Sequence, residues 1–190
     1  MKLFIDTSSR YLYLDIVSTN THIEFVRLGK NDHSEMLVSS IEQFLKENGY
    51  TPEDIEEVYI GRGPGSYTGQ RISGTFGKVF SFIRNVPLYS FSSLDYILTP
   101  YFQKDGTYLA QIDAKKNHSY LKVIKVQNGK IEIVLDETFS ENTIFEKYPD
   151  AKIISPNEEE KDPNELLKRN LYQKESNLDY TPNYFRSEFN

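Results

Sequence analysis

The sequence predicts an α/β fold with a complete N-terminal lobe, residues 1–103, and a smaller C-terminal lobe, residues 104–190. Before residue 103, segments of strand character alternate with segments of helical spacing in the order β-β-β-α-β-α-β-α. After that residue short strands predominate and the pattern is weaker. The composition is that of a globular chain, with 38% hydrophobic and 26% charged residues, and 190 residues suffice for one domain or one domain with a small added lobe.

The elements of the first lobe follow from local signals. Three strands are predicted at 3–5, 11–17 and 22–28, and the polar turns between them are short enough for antiparallel pairing. A helix is predicted from about Asp32 to Asn48, since apolar residues recur there near helical spacing and Gly49 follows. The later elements of this lobe are a strand at 57–60, a helix at 67–84, a strand at 87–91 and a helix from Ser92 or Ser93 to about Tyr101.

The second lobe is predicted mainly from short apolar runs. Strands are expected at 107–112, 120–126, 131–136 and 152–155, with an Asn128-Gly129 turn joining the second to the third. Short helices are expected near 142–147 and 164–171, followed by an irregular tail. The lobe therefore has a recognisable sheet but carries no regular helical pattern of its own.

Composition excludes several classes of protein. The chain has 22 basic and 28 acidic residues and a net charge of −6, which argues against a protein that coats nucleic acid unaided. It has no cysteine, which excludes disulfides, thiol nucleophiles and cysteine metal sites. The first apolar run ends at Asp6 and no run approaches the length of a membrane span, so we expect a cytoplasmic protein with no membrane partner.

Six of the ten glycines fall between positions 61 and 77, and three of them surround Pro64 between a strand and a helix. Glycines allow close backbone approach, and a helix start presents unpaired N–H groups, so such a corner can hold a phosphate or a carboxylate. A tight connection with no ligand explains the loop equally well. The loop is not a Walker motif, because Gln70-Arg71 follow Gly69, and it lacks the spacing of a nucleophile elbow. The candidate nucleotide-binding residues are Asp6, Ser8, Gly63, Gly65, Ser66 and Thr68.

The helix after this loop has two kinds of surface. Small residues recur at Gly69, Ser73 and Gly77, whereas a bulky stripe lies largely on another side. Small residues let another backbone come close, either that of a second protein or that of the chain's own sheet. The bulky stripe consists of Ile72, Phe76, Val79, Phe80 and Ile83.

The sequence assigns no catalytic residue and no metal ligand. The three histidines, His22, His33 and His118, form no pair at positions i and i+4. Asp6 could approach a metal-bound phosphate, although capping the turn after its strand is an alternative role. Nothing places a serine–histidine–aspartate triad, and no nucleophile or zinc motif supports a peptidase.

Several segments together resemble the TsaB (YeaZ) family. They are Phe4-Ile5-Asp6-Thr7-Ser8, His33-Ser34, the whole stretch from Gly61 to Ile72, Pro87 with Phe91-Ser92-Ser93-Leu94, Asp113-Ala114-Lys115-Lys116 with Tyr120, and Pro182-Asn183-Tyr184-Phe185-Arg186. The likeness covers most of residues 1–120 and the last few. The chain departs from the family pattern at Gln70, where a branched aliphatic residue is usual, and at Ser73 and Thr75.

The resemblance implies an actin-like (ASKHA, ribonuclease H-like) fold and a non-catalytic role. A member of this family heterodimerises with its paralogue TsaD, TsaE joins as an ATPase, and the complex makes threonylcarbamoyladenosine beside the anticodon of tRNAs. On this basis tRNA is bound only within the complex, the chain has no cofactor of its own, and ATP or ADP is expected only at the partner interface. The alternative is a small ASKHA-type ATPase or phosphotransferase that acts alone through Asp6 and the glycine loop.

The resemblance also assigns the partner interface to the first two helices. The isolated chain could form a homodimer through the same helices. The interface residues expected on this basis are His33, Met36, Leu37 and Ser40 on the first helix, and Tyr67, Gly69, Arg71, Ser73, Gly74 and Gly77 on the second.

Overall fold

Two β-sheets organise the chain in the computed structural model, which describes residues 1–176 and 180–184. The strands are β1 (Lys2–Asp6), β2 (Tyr11–Val17), β3 (His22–Leu28), β4 (Glu57–Gly61), β5 (Leu88–Phe91), β6 (Gly106–Lys115), β7 (His118–Gln127), β8 (Lys130–Glu141), β9 (Lys152–Ile154) and β10 (Tyr172–Glu175). The helices are α1 (His33–Glu47), α2 (Tyr67–Arg84), α3 (Ser93–Leu98) and α4 (Pro163–Lys168), and short 3-10 turns lie at Pro52–Asp54, Thr99–Tyr101 and Asn142–Lys147.

The first sheet has six strands in the order β10-β5-β4-β1-β2-β3. Strands β1, β4 and β5 are parallel neighbours, whereas β1, β2 and β3 form the antiparallel meander that the short turns predict. The second sheet has the order β8-β7-β6-β9, with antiparallel pairs except for the parallel pair of β6 and β9. The α/β class is therefore confirmed.

The C-terminal segment differs from the sequence prediction. Residues Tyr172–Glu175, expected as irregular tail, form an edge strand antiparallel to β5 in the first sheet. The Tyr172 ring packs edge-on against Tyr59 and Tyr89, at 5.4 Å from each ring centroid, and this aromatic contact fixes the strand. A lobe boundary at residue 103 therefore omits β10 from the sheet to which it belongs.

Both faces of the first sheet are buried. Because side chains alternate along a strand, β1 sends Leu3 and Ile5 toward α1 and α2, and Phe4 toward α3 and the second sheet. On the second side Phe4 stacks on Tyr59 with ring centroids 4.4 Å apart. The apolar core on that side joins the two sheets. Within residues 1–176 and 180–184, no helix has both the length and the apolar character needed to cross a membrane.

Candidate functional site

The site begins where β1 and β4 end. Asp6 closes β1, and its carboxylate accepts a hydrogen bond from the Ser8 backbone N–H at 2.6 Å. A Cβ atom on Gly61, the last residue of β4, would lie 2.5 Å from the Asp6 carboxyl carbon, so only glycine admits this side chain. Burial raises the pKa of Asp6, opposed by hydrogen bonds from Ser8 and Ser93. The Asp6 carboxylate therefore stabilises the turn that follows β1 by accepting this backbone hydrogen bond.

The glycine loop closes on the chain's own atoms. Gly63 has a φ of +88°, and a Cβ there would lie 2.4 Å from the Gln70 side chain. Gln70 is 1% exposed and its amide donates to the Gly65 carbonyl oxygen at 3.1 Å. On the other side, the Ser66 N–H donates to the Ser8 carbonyl oxygen at 2.6 Å. Gln70 and the turn at Ser8 thus contact the loop from two sides and take up space that a ligand would need.

The six candidate nucleotide-binding residues fall into two groups. Asp6, Ser8, Gly63 and Gly65 are buried in the contacts described above. Ser66 and Thr68 are exposed at the start of α2, and Ser66 caps that helix, since its Oγ accepts from the Gly69 N–H at 3.2 Å. A nucleotide site shared with a partner remains a prediction, and in this chain alone only the last two residues face outward.

The small face of α2 packs against the chain's own sheet. A Cβ on Gly69 would lie 1.8 Å from the Thr7 carbonyl oxygen, and one on Gly77 would lie 2.8 Å from Ile60 Cγ2. Ser73, between them, is fully buried and donates to the Gly61 carbonyl oxygen at 3.4 Å. This placement differs from the expectation that the small face docks on a partner. The small residues are needed because α2 lies close against β4 and against the turn that follows β1.

Gly74 meets a different segment of the chain. A Cβ at this position would lie 2.3 Å from the ring of Tyr180, which is buried against the helix. The backbone N–H of Asn183 donates to the Arg62 carbonyl oxygen at 2.8 Å, and Tyr184 packs on Tyr67 with centroids 4.7 Å apart. The C-terminal segment therefore covers one flank of α2. The last two residues of the motif quoted above, Phe185 and Arg186, lie outside the described residues.

The other expected interface residues are mixed in exposure. On α1, His33, Leu37 and Ser40 are buried, with His33 Nε2 placed 3.1 Å from the Ser9 carbonyl oxygen, and Met36 is half-buried. On α2, two of the expected residues are exposed, and they interact with each other through a 2.8 Å hydrogen bond from the Arg71 guanidinium to the Tyr67 hydroxyl. Seven of the ten expected residues are therefore buried and have little surface to offer a partner. The three exceptions are Met36, Tyr67 and Arg71.

Four exposed apolar side chains of α1 and α2 are not among the expected interface residues, although Val79 and Ile83 belong to the bulky stripe. Val79, Phe82 and Ile83 of α2 are 52%, 77% and 72% exposed, and Val38 of α1 is 62% exposed. We call these four residues the outer face. Positions 79, 82 and 83 follow the i, i+3, i+4 rule and so share one side of the helix. The signal was present in the sequence, because α2 has more bulky apolar residues than one buried stripe can use.

The three histidines each contact atoms of the chain. His22 lies 2.7 Å from Asp15, and His118 Nδ1 lies 2.8 Å from the Lys116 carbonyl oxygen. His33 is bonded as described above. Within the described part of the chain, no group of three or more histidine, cysteine, aspartate or glutamate side chains is arranged to hold a metal ion.

A buried ion pair links α3 to the second sheet beside the glycine loop. Lys122 of β7 lies 2.7 Å from Asp95, and both side chains are about nine-tenths buried. Burial raises the pKa of Asp95, opposed by the charge and hydrogen bond of Lys122. Glu137 of β8 accepts a hydrogen bond from the Asn183 side chain at 2.9 Å. The two sheets and the C-terminal segment are therefore joined by polar contacts as well as by the shared core.

Comparison with known proteins identifies the family. The family model described as "TsaD: tRNA N6-adenosine threonylcarbamoyltransferase" matches residues 27–180. A TsaB protein of Bacillus subtilis is 29% identical over 136 residues, which are 71% of this chain and 59% of that protein. The TsaB protein of Escherichia coli is 27% identical over 120 residues, 62% of this chain and 52% of that protein. Both are named tRNA threonylcarbamoyladenosine biosynthesis proteins, and the chain matches less than two thirds of the length of either.

Solved structures share the fold. One, described as an uncharacterized protein with similarity to peptidase YeaZ from Pseudomonas aeruginosa, superposes with a TM-score of 0.78 at 18% identity, over 97% of this chain and 99% of that one. YeaZ from Pseudomonas aeruginosa superposes with a TM-score of 0.66 at 21% identity, over 74% of this chain and 67% of that one. The actin-like, ribonuclease H-like fold expected from the resemblance is thereby confirmed. The chain belongs to the family described by the TsaD model, and its similarity to the TsaB and YeaZ proteins supports a place in the TsaB (YeaZ) group.

Proposed function

We propose that this chain is a non-catalytic accessory subunit that pairs with a TsaD-like protein in the biosynthesis of threonylcarbamoyladenosine in tRNA. The relatives named for that pathway support the process. The outer face supports the proposed pairing with another protein, because three large apolar side chains on one side of α2 are exposed to solvent. Isolated exposed apolar residues are common, whereas a group of them on one element is typical of a contact surface.

The geometry of α1 and α2 suits a helical partner. The two helices pack side by side on the same face of the first sheet, so Val38 and the exposed residues of α2 lie on adjacent elements. Because this chain matches a family model described as TsaD over a range that contains α1 and α2, we expect a TsaD-like protein to have equivalent helices. Two such helix pairs can bury their apolar surfaces against each other in a pseudo-symmetric contact. In the absence of the partner, a second copy of the chain can occupy the same surface.

The other components follow from this arrangement. We place a TsaE-like ATPase and the tRNA in the complex rather than on this chain alone, since the net charge of −6 disfavours contact with RNA phosphates. Any ATP or ADP would sit where the exposed start of α2, at Ser66 and Thr68, meets the partner.

The test of this proposal is a complex measured by light scattering and calorimetry. The chain is mixed with the TsaD-like protein of the same organism, and a heterodimer of defined affinity is expected. Phe82→Asp should weaken that affinity by at least about tenfold, since loss of a central apolar contact costs more than 1.4 kcal/mol. The matched control is Ile133→Asp on β8, which changes a 55% exposed isoleucine in the other sheet and should leave the affinity unchanged. No complex, or equal loss in both variants, would contradict the proposal.

The alternative is an ATPase or phosphotransferase that acts alone, and the structure supports one of its two requirements, exposed hydroxyl groups, but not the other, an open loop. The exposed start of α2 still offers hydroxyls, but Gln70 and Ser8 fill the inner side of the loop. The measurement is ATP turnover by the isolated chain. Turnover that disappears in Asp6→Asn while the fold is retained would favour this alternative over the accessory role.

A further inference from the structure

A cluster of ionisable side chains lies away from the glycine loop, where the segment Asn157–Asp162 crosses the first sheet. This segment, here called the strap, leads from β9 in the second sheet toward α4. Four hydrogen bonds tie it to its surroundings: Tyr13 hydroxyl to Asn157 carbonyl oxygen at 2.7 Å, Lys161 N–H to Glu24 carboxylate at 2.9 Å, Asp162 N–H to Thr99 hydroxyl at 2.9 Å, and Tyr101 hydroxyl to Glu159 carboxylate at 2.8 Å. The strap therefore connects the two lobes through polar groups.

The Lys161 side chain is enclosed by the strap. It is 2% exposed, and its ammonium donates to the Asn157 side-chain oxygen at 3.0 Å and to the main-chain oxygens of Asn157 and Glu159. The ammonium also lies 5.0 Å from the centre of the Tyr13 ring. All these acceptors are uncharged, and burial lowers the pKa of Lys161. We call the strap closed when it encloses the Lys161 ammonium in this way.

The carboxylate of Glu24 holds the middle of the strap. Its side chain on β3 accepts the Lys161 main-chain hydrogen bond, and burial raises its pKa to about 7. The hydrogen bond from the Lys161 N–H and the charge of Lys161 lower the pKa of Glu24, whereas the carboxylates of Asp15 and Glu160 raise it, and the effect of burial is the largest. Glu24 is thus a carboxyl group whose proton is retained by its position beneath the strap.

The neighbouring His22 and Asp15 complete the cluster. Asp15 on β2 is fully buried, accepts a hydrogen bond from the Tyr96 hydroxyl on α3, and lies 2.7 Å from His22 Nε2. Its hydrogen bond holds the pKa of His22 above the ordinary value. The other ring nitrogen of His22 lies 3.6 Å from Glu160, and Asp162 adds a further negative charge nearby. Since His22 and Asp15 are both on the β2–β3 hairpin, their contact persists when the strap opens.

We propose that the strap is a proton-sensitive latch, in which opening releases a proton from Glu24, so that the segment is held more firmly in mildly acidic than in neutral solution. The closed strap buries the Glu24 carboxyl, and the open strap returns it to water. The device uses groups on β2, β3, α3, the turn Thr99–Tyr101 and the strap itself. It is independent of the partner surface on α1 and α2.

The direction of the pH dependence follows from linkage. Glu24 has a pKa of about 7 in the closed form, and exposure to water in the proposed open form would return it toward the ordinary value of 4.5. Its contribution to closure is fully present below the lower value, is lost as the pH rises toward 7, and is constant above 7. Lys161 acts with the opposite sign, because its pKa is lowered in the closed form. His22 acts with the same sign as Glu24, because Glu160 and Asp162 of the strap help to raise its pKa above 6.5. A Glu24 variant separates the contribution of Glu24 from these two.

The experiment is amide hydrogen exchange of the full chain between pH 5 and 8, read at Lys161 and corrected for the intrinsic pH dependence of exchange. The protection factor should fall by up to about tenfold per pH unit as the pH rises from 5 to 7, the limit for one proton, and then level off. The reference is the amide of Val123 on β7, which should change much less. Equal changes at both amides, or no change at Lys161, would overturn the proposal.

A variant and a direct titration sharpen the test. Glu24→Gln keeps an oxygen acceptor for the Lys161 N–H but has no proton to release, so the fall between pH 5 and 6, below the range in which His22 titrates, should disappear. The matched control Glu42→Gln, at an exposed position of α1, should retain the fall. If Glu24→Gln does not fold, the carbon-13 shift of the Glu24 carboxyl in the unmodified chain decides the matter: a midpoint near 7 supports the latch, and one near 4.5 overturns it.

Discussion

The inner and outer faces of α2 differ in what their side chains touch. On the inner face Gly69, Ser73 and Gly77 have almost no side-chain volume, and the helix lies against β1 and β4. On the outer face Phe82 and Ile83 are large, apolar and exposed. The comparison teaches that a stripe of small residues identifies close packing without identifying the neighbour. In this helix the neighbour is the chain's own sheet, and the outer face is the surface left for another molecule.

The largest effect is expected on the inner face. Gly69→Ala would place a Cβ 1.8 Å from the Thr7 carbonyl oxygen, a backbone atom that cannot move aside without shifting β1 or α2. We expect a loss of about 3 kcal/mol or more in the free energy of unfolding, the upper range for overpacking. Urea denaturation measures it. Thr75→Ala, at an exposed position of the same helix, is the control and should change stability by less than about 0.5 kcal/mol. Equal stability of the two variants would contradict the close contact.

A smaller effect is expected where the glycine loop passes into α2. Ser66→Ala removes the hydroxyl that accepts the Gly69 N–H and should cost about 1 kcal/mol, the usual value for a helix cap. The control is Ser39→Ala on α1, where the exposed hydroxyl bonds a carbonyl within the helix and caps nothing. Thermal unfolding distinguishes the two. If the Ser66 variant is as stable as the Ser39 variant, the cap does not contribute measurably to the free energy of unfolding.

The smallest effect on stability is expected on the outer face. Phe82→Ser should change the free energy of unfolding by less than about 0.5 kcal/mol, because the ring is 77% exposed and packs little within the chain. Urea denaturation of the isolated subunit gives the value. A loss above about 2 kcal/mol would mean that Phe82 belongs to the core, and the contrast between the two faces would fail.

Local patterns predicted most of the elements. The bounds of α2 follow from Ser66 at its start and Asn85 at its end, where a φ of +52° stops the helix. Strand β10 was missed because Tyr-Gln-Lys-Glu has no apolar alternation and depends on β5, some eighty residues earlier in the chain. Edge pairing of that kind comes from tertiary contact and leaves little trace in a short segment.

The candidate site was predictable only in its location. The glycines correctly indicate a crowded corner after β4, but whether a ligand or a side chain fills the corner depends on the path of Gln70. The strap illustrates the same limit. Glu24 and Lys161 are 137 positions apart, and each alone has the pattern of an ordinary surface charge. Only the fold brings them together, with Lys161 buried and Glu24 half-buried.

The return of the chain to β5 affects the order in which the protein can be completed on the ribosome. One hydrogen-bonding edge of β5 pairs with β10, which is synthesised about eighty residues later, so this edge stays open in the meantime. An open edge is a template for unwanted pairing between nascent chains. The pairing with β10 therefore closes this edge of the first sheet only after the strands of the second sheet have been synthesised.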